Sequence, residues 1–493
     1  MLAASLASFA IVTQDQIPLR AAPYENAARH AVLTQGDNLE VRGAKGDYLQ
    51  VYDHRRERAG YIRLTQAGLY ELTPEEAPRL RAVLEFLKNQ PEQEALGIGH
   101  AAAFLKAAPA EAIDAGAFEA LGTMAERLAW RASRLSGVDN EKSRVVSAHL
   151  DAATHYGVRF YSVERHDKVS LCYDGDAWRR LLSLPSTPEQ GARAALALTR
   201  HDCVEPTLLP TERLDADRRR AEILESALED GVRRGGLPAH VENRLKMRAA
   251  GVWASLAHRL AQRPDSDVAA VLAAGQKAEA RLAGIDKNAF TDGDRQAWNE
   301  AAIRVGASRW AAQPQTLAQP APGRPGIRLA ASDKPGQTCV QVVAAQTPAA
   351  KGRQPGTTIP AAPFTQCTYG RVWTSSLTVS PDGKAMTLAV QPLDNWRELW
   401  VFHQEQGGWR LDIVPPATDN PELGYIEFAG WVPGNKQFLV ARETVAGGRG
   451  KTSFELWDRA TLKVERSADQ PGNLNAFYRW QDPAWKSGTV AVR

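Results

Sequence analysis

The sequence predicts a multidomain α+β protein. We expect a small N-terminal β-barrel, a central all-α helical array with one β-hairpin, and a C-terminal all-β repeat domain. The hydrophobic period changes along the chain from alternation to helical spacing and back. Composition changes too, since eight of the 13 tryptophans lie between Trp373 and Trp485 whereas Ala, Leu and Arg dominate the middle. A chain of 493 residues exceeds the usual size of one core, so several separately packed domains are expected.

The expected segments follow these changes in pattern. They are a residual signal peptide at 1–10, a barrel at 11–70, a helical domain at 71–312, a proline-rich linker at 313–337 and a β-repeat domain at 338–493. The linker contains five prolines and little apolar periodicity, which is typical of an extended tether.

The first residues, MLAASLASFA, are typical of the end of an export signal. Leu2 to Ala10 are apolar or small, and Ser8 and Ala10 suit the positions before a signal-peptidase cut. A complete signal peptide begins with a basic segment, which is missing here. We therefore interpret these residues as the last part of a signal peptide that is cut after Ala10. An irregular cytosolic N-terminus is the alternative. No later stretch approaches 18 consecutive apolar residues, so no integral membrane segment is expected.

The net charge argues against nucleic acid as a partner. Sixty Lys and Arg against 57 Asp and Glu leave a formal charge of +3, whereas nucleic-acid binders usually concentrate far more positive charge. Arginine-rich runs such as DADRRRAEILESALEDGVRRGG mix both signs, which is typical of a solvated helix face.

The four cysteines are candidates for disulfides. Cys172 and Cys203 are 31 residues apart, and Cys339 and Cys367 are 28 apart. None forms a C-x-x-C, so neither a zinc ribbon nor a thioredoxin-type site is supported. Four cysteines can form two disulfides in three ways, and pairing each cysteine with its neighbour in sequence keeps each disulfide within one expected domain. Four buried free thiols are the alternative.

Five short strands in about 60 residues, without a helix signal, predict the small barrel. In TQGDNLEVRGAKGDYLQVYD (34–53) the segments Leu39–Val41 and Tyr48–Tyr52 alternate in polarity between glycines.

These residues resemble the bacterial Src-homology-3-type (SH3-like) module of exported and envelope proteins, over residues 11–68. The matching motifs are Leu19-Arg20 with Pro23, Gly36-Asp37 with Leu39 and Val41, Asp47-Tyr48-Leu49 with Val51, and Gly60-Tyr61-Ile62. The sequence departs from the pattern at Tyr48 and Tyr61, where such modules often carry tryptophan, and in the charged insertion DHRRER. The resemblance implies binding of peptides or cell-wall fragments, or packing against a neighbouring domain. In a binding module, a ligand groove would be lined by Tyr48, Tyr52 and Tyr61. The alternative is that these tyrosines belong to the core of the barrel and its rim.

From Leu72 the pattern is helical. Thr73 and Glu76 suggest a capping box, and Leu80, Val83, Leu84 and Leu87 form one apolar face. Further helices are expected at about Ala110–Arg134, Glu141–Thr154, Ala177–Leu184, Thr187–Arg200, Thr211–Arg234, Ala239–Gln262, Ser266–Ala283 and Asp292–Ala311. A β-hairpin is expected around a polar turn at Glu164–Lys168.

The acidic and histidine residues near that hairpin do not form a metal motif. They are His149, His155, His166, His201, Asp151, Asp174 and Asp176. His149 and His155 are six residues apart, so they lie on different helix faces, and no H-E-x-x-H occurs. Surface or capping roles are expected, with no metal ligand and no cofactor.

The C-terminal segment repeats a strand, a proline turn and a strand. Pro381, Pro433 and Pro483 are spaced by 52 and 50 residues, the third in FYRWQDPAWKSGTVAVR. The spacing and the S-P-D-G turn resemble the four-stranded blades of propellers, but only two or three blades fit. Open sheet edges could therefore be completed by another chain or by self-association. The tryptophans are expected to pack between sheets, with sugar stacking as the alternative.

Motifs for catalysis are weak. VAGGRGKTS (445–453) ends like a phosphate-binding loop, but Val445 replaces the required glycine and a strand pattern follows. No G-x-S-x-G or helix-opening G-x-G-x-x-G occurs, so no catalytic residue is assigned. The leading hypothesis is a periplasmic or secreted, non-catalytic interaction or scaffold protein of the cell envelope that binds a protein or peptidoglycan. The alternatives are an envelope hydrolase with a site between the helical and β domains, and an assembly factor completed by a partner strand.

Overall fold

The computed structural model describes residues 8–165, 168–315, 323–343, 364–406, 408–418, 423–446 and 449–488. An antiparallel sheet at the N-terminus, a helical centre and a mostly-β C-terminal region confirm the predicted order of structure. The chain forms two compact units. Unit 1 is Met1–Leu208 with Glu229–Leu237, and unit 2 is Leu209–Leu228 with Pro238–Arg493. No described helix combines the length and apolar character that crossing a bilayer requires.

The N-terminal region is a seven-stranded antiparallel sheet. Its strands are β1 Ser8–Val12, β2 Ile17–Arg20, β3 Arg29–Leu33, β4 Asn38–Lys45, β5 Tyr48–Asp53, β6 Arg58–Arg63 and β7 Ala67–Glu71, in the order β3-β2-β6-β5-β4-β1-β7. Alternate apolar residues such as Leu19, Leu39 and Val51 form its core. Among the described residues β3 and β7 are the two ends of the strand order, so a closed barrel and the SH3-type identification stay predictions.

The first strand includes residues that the expected signal cut would remove. β1 pairs with β4 and β7, and Ala10 is completely buried. Cleavage after Ala10 would delete Ser8–Ala10, which is most of β1, whereas a cut before Ser8 would leave the described strand whole.

Between residues 77 and 308 the described helices follow the expected segments closely, with one exception. They are α1 Ala77–Leu87, α2 Glu94–Ala107, α3 Ala115–Arg134, α4 Glu141–His155, α5 Asp176–Leu182, α6 Pro188–Leu198, α7 Pro210–Arg233, α8 Ala239–Gln262, α9 Val268–Ala283 and α10 Asp294–Ser308. The exception is α2, which the sequence analysis missed. It is apolar and buried on almost every side, so it has no amphipathic stripe to detect.

The predicted capping box at Thr73 is wrong. Thr73 precedes a short 3-10 turn at Pro74–Glu76, and its side chain makes no capping hydrogen bond. α1 begins only at Ala77, and the Glu76 carboxylate accepts hydrogen bonds from Arg79 instead. The predicted hairpin is confirmed as β8 Phe160–Arg165 paired antiparallel with β9 Lys168–Tyr173.

The C-terminal region contains two sheets. The strands are β10 Gly326–Ala331, β11 Thr338–Val343, β12 Phe364–Thr368, β13 Arg371–Val379, β14 Ala385–Leu393, β15 Trp396–Glu405, β16 Gly408–Val414, β17 Gly424–Trp431, β18 Gln437–Ala446, β19 Arg449–Asp458 and β20 Val464–Ala468. β10–β12 form one sheet, and β13–β20 form the other. In the larger sheet β13–β16 and β17–β20 are two antiparallel groups of four strands, joined by parallel pairing of β15 with β17.

Unit 2 has a core to which both helices and strands contribute. Ala302 and Ile303 of α10 belong to the same hydrophobic cluster as Tyr425 of β17 and Phe454 of β19. The expected separate packing of helical and β domains on either side of 313–337 is therefore not observed. Part of that expected linker is itself a strand, since β10 begins at Gly326.

The third strand repeat predicted near Pro483 is wrong, because the segment is helical. α11 Asn475–Trp480 and α12 Pro483–Gly488 bury Phe477 and Trp485 against each other and against Phe454. Pro483 stands at the first position of α12, where a missing N–H costs nothing, and Asp482 accepts a hydrogen bond from the Ala484 N–H.

Candidate functional site

The three candidate groove tyrosines lie on one face of the N-terminal sheet. Tyr48, Gln50 and Tyr52 alternate along β5, and Gln50 pairs directly with Tyr61 of β6. Residues that pair directly across a sheet share a face, so all three tyrosines point away from the core side. We call this surface, with Arg42 and Arg63 beside it, the tyrosine face.

Charged side chains pack over these rings. The Arg42 guanidinium lies 4.0 Å from the centre of the Tyr52 ring, and that of Arg63 lies 5.5 Å from the centre of the Tyr48 ring. His54 meets Tyr52 edge-on at 4.8 Å between ring centres. Tyr48 is only 8% exposed, whereas Tyr52 and Tyr61 are partly exposed. Tyr48 therefore supports the face from within, and the other two can contact a ligand.

Glu40 connects the charged residues of this face. Its carboxylate accepts hydrogen bonds from Arg42 at 3.4 Å and from His54 at 2.7 Å. These two bonds, of which that from Arg42 has the larger effect, hold the pKa of the Glu40 carboxyl below its usual value. The face thus offers aromatic rings beside cationic donors, a combination that suits peptide or sugar contacts.

The insertion DHRRER folds back onto its own sheet. Arg56 pairs with the buried carboxylate of Asp53 at 2.7 Å, and Arg55 pairs with buried Asp37 at 3.1 Å. Burial of the two carboxylates requires such partners. Asp53, Arg55 and Arg56 of this insertion therefore hold the β5–β6 turn in place.

The histidines and acids considered as metal ligands have other partners. Buried His149 bonds Asp15 at 2.9 Å, Asp174 pairs with Arg159 at 2.9 Å, and Asp176 pairs with Arg180. His166 lies outside the described residues. Within the described part of the chain, no group of three or more His, Cys, Asp or Glu side chains is placed to hold a metal.

The cysteines form two disulfides, with neighbours paired. Cys172 of β9 bonds Cys203, and Cys339 of β11 bonds Cys367 at the directly opposite position of β12. Two disulfides in one chain are more typical of exported proteins than of cytosolic ones.

Unit 2 contains a cavity of about 430 Å³, which we call the polar cavity. Residues from the 3-10 turn Arg309–Ala312 and the segment after it, from β13, β14, β15 and β17, and from α12 line it. Its principal polar lining residues are Arg309, Trp310, Ser375, Glu427, Asp482 and Trp485. Its volume lies within the range usual for small-molecule sites.

One wall of the polar cavity is a buried ion cluster. Glu427 accepts hydrogen bonds from Arg309 Nε at 2.8 Å, from Arg397 Nη2 at 2.7 Å and from Trp485 Nε1 at 2.8 Å. We call these four residues the buried arginine cluster. Arg397 also donates to the Gly306 carbonyl at 2.6 Å, near the C-terminal end of α10. Two guanidiniums thus share one carboxylate in the interior.

Burial and charge act in opposite directions on these groups. Burial alone would raise the pKa of Glu427, but Arg309 and Arg397 outweigh it and leave that pKa below its usual value. Burial lowers the pKa of Arg397 to about 10 despite the nearby carboxylate. Next to the cluster, burial and the charge of Glu427 raise the pKa of the Glu443 carboxyl to about 7. Glu427 is therefore ionised and held by three donors, which makes it a poor proton acceptor.

Two strand irregularities border the polar cavity. The β13–β14 register shifts between Trp373 and Thr378, a stretch that includes Ser375, and the β17–β18 register shifts between Phe428 and Gly430. Bulges re-aim side chains and are common beside functional sites. No local sequence motif marks this site, because its polar residues are scattered from Arg309 to Trp485.

The segment 445–453, which ends like a phosphate-binding loop, is part of a β-hairpin. Val445 pairs with Gly450 across β18 and β19, and Thr452 lies within β19.

No family model, curated protein or solved structure matches this chain. The candidate sites are therefore the tyrosine face of unit 1 and the polar cavity of unit 2.

Proposed function

We propose that this chain is an exported, non-catalytic interaction protein of the bacterial cell envelope. In this proposal the N-terminal sheet acts as an SH3-like module that binds a peptide or cell-wall fragment through the tyrosine face. The observation that carries it is the shared face of Tyr48, Tyr52 and Tyr61, with guanidiniums over two of the rings. The two disulfides support a periplasmic or secreted location.

The eight-stranded sheet supports a second contact surface. Its two groups of four strands are similar to propeller blades, and β20 ends the strand order among the described residues with most of its length exposed. An exposed edge strand offers unpaired backbone groups to another strand. We therefore propose that a partner, or a second copy of the chain, pairs here. Self-pairing predicts a mass that rises with protein concentration in analytical ultracentrifugation, and a constant monomer mass would contradict it.

The polar cavity favours binding over the alternative of hydrolysis. Helical and β residues of unit 2 meet there, as an envelope hydrolase would need. However, its buried carboxylate, Glu427, is occupied by two arginines and one indole N–H. A hydrolytic base needs a free carboxylate or imidazole with a pKa near the working pH, and Glu443, whose pKa is about 7, is not among the residues that line the cavity.

The test of the tyrosine face is co-sedimentation with purified peptidoglycan and pull-down from an envelope extract. We expect Tyr52→Ala combined with Tyr61→Ala to weaken capture about tenfold or more, because aromatic contacts dominate such interfaces. The matched control is Tyr478→Ala, an exposed tyrosine of unit 2, which should bind like the unaltered protein. Absence of both partners, or equal losses in the variant and the control, would contradict the proposal.

A further inference from the structure

The polar cavity contains hydrogen-bond donors that the protein itself does not use. The buried indole Nε1 of Trp310 and the buried hydroxyl of Ser375 have no hydrogen-bond partner among the described residues. A buried donor without a partner costs roughly 1–3 kcal/mol, so native proteins rarely keep one without a reason. Here the two residues that carry these donors line the same cavity.

The guanidinium of Arg309 adds a charge to these donors. Arg309 is 5% exposed and uses its Nε for Glu427, and within the described residues its two Nη groups make no hydrogen bond. Gly488 packs directly against it, since a Cβ at that position would clash with Nη1 at 2.5 Å. The guanidinium also lies 4.1 Å from the centre of the Trp310 ring, which fixes its plane.

The charges around the cavity argue against a ligand with two negative charges. Arg309 and Arg397 bring two positive charges to a single carboxylate, Glu427. Asp482 also lines the cavity, and its carboxylate accepts a hydrogen bond from the Ala484 N–H. A dianion such as phosphate would be repelled by two nearby carboxylates, whereas a planar carboxylate can accept two parallel bonds from a guanidinium.

We propose that the polar cavity is a binding site for a small molecule with a terminal carboxylate, which accepts hydrogen bonds from Arg309, Trp310 and Ser375. The site belongs to unit 2 and is independent of the tyrosine face. Two bulges lie at this site, since Ser375 is within the β13 irregularity and Phe428 borders the β17 irregularity.

The test is calorimetric titration of the full chain with matched small probes. N-acetyl-alanine supplies a carboxylate, and N-acetyl-alaninamide replaces that carboxylate with a neutral amide of the same shape. We expect the acid to bind and the amide to bind at least about tenfold more weakly, because charge-assisted hydrogen bonds are roughly twice as strong. Inorganic phosphate and N-acetylglucosamine probe a dianion and a neutral sugar.

Two variants remove donors without disturbing the ion cluster. Trp310→Phe keeps the ring beside Arg309 but loses the N–H, and Ser375→Ala loses the hydroxyl. Each should weaken binding of N-acetyl-alanine about tenfold. Neither should lower the thermal stability of the free protein, because the deleted donors have no partner there; a purely structural role would lower it. Trp130→Phe and Ser467→Ala, both at exposed positions, are the matched controls.

Binding of the acid that both variants weaken and both controls leave unchanged would support the site. The proposal is overturned if the acid does not bind, if acid and amide bind equally, or if phosphate or the sugar binds more tightly than the acid. Unchanged affinity in both variants would also overturn it, since the assigned donors would then play no part.

Discussion

The tyrosine face and the buried arginine cluster use the same side chain in opposite surroundings. On the tyrosine face Arg42 lies over a partly exposed ring and shares Glu40 with His54 near solvent. In the buried arginine cluster Arg397 is completely buried and Glu427 is 2% exposed. Water screens the first set of charges far more than the second.

This difference determines what each region contributes. Exposed ion pairs add little to stability, so the arginines of the tyrosine face are available for contacts with a partner. Buried ion pairs barely repay their desolvation, yet removing one member leaves a charge without compensation. The cluster is thus held in one arrangement, and the fixed Arg309 can serve as a rigid wall of the polar cavity.

The largest expected effect is a loss of stability when the buried arginine cluster is altered. Glu427→Gln should lower the free energy of unfolding by about 3–5 kcal/mol, because two buried guanidiniums lose their carboxylate. Glu40→Gln on the tyrosine face is the control and should change stability by no more than about 1 kcal/mol. Urea unfolding followed by tryptophan fluorescence measures both. Equal effects of the two substitutions would contradict the proposed difference between buried and exposed ion pairs.

A covalent link gives the next largest effect, in the unit that carries the tyrosine face. Replacing Cys172 and Cys203 by alanine should lower the free energy of unfolding by roughly 3–4 kcal/mol, since the disulfide closes a loop of about 31 residues in the unfolded chain. Thiol labelling of the unreduced, denatured protein checks the bond itself. We expect no labelled cysteine, and stoichiometric labelling would contradict the pairing.

A pH titration of Glu443 measures how strongly the interior of unit 2 penalises an added charge. Its pKa of about 7 in the folded chain exceeds the usual 4.5 because of burial and the charge of Glu427, with Tyr425 nearby. Between those two values the unfolded chain releases a proton that the folded chain keeps, so stability falls as the pH rises from 4.5 to 7 and then levels off. The full loss is about 3 kcal/mol.

Glu443→Gln should abolish this loss. The quantity to measure is the difference in unfolding free energy between the variant and the unaltered protein across that pH range. The contributions of other titrating groups are the same in both proteins and cancel in this difference. Buried His258, for example, has a pKa lowered to about 4, so it removes stability from both proteins as the pH falls from 6.5 towards 4. A difference that does not change with pH would contradict the raised pKa of Glu443.

The two candidate sites also differ in how far the sequence could predict them. Alternation along 48–52 identified β5 and its tyrosines, because the period of a strand fixes which residues share a face. The polar cavity escaped because Arg309, Ser375 and Glu427 meet only through tertiary packing. The helices α11 and α12 were misread for a related reason. Phe477 and Trp485 are apolar residues in short segments, where periodicity cannot separate a strand from a helix.

The smallest expected effect is the coupling on the tyrosine face itself. A double-mutant cycle of Arg42→Ala and Tyr52→Ala should give a coupling energy of about 0.5–1 kcal/mol, the usual strength of an exposed cation–π pair. High salt should change it little if the ring attracts the guanidinium, because the two groups are in contact. A coupling of several kcal/mol would mean that this surface is as tightly constrained as the buried arginine cluster. Arg42 would then be a structural residue, unable to reorient towards a partner.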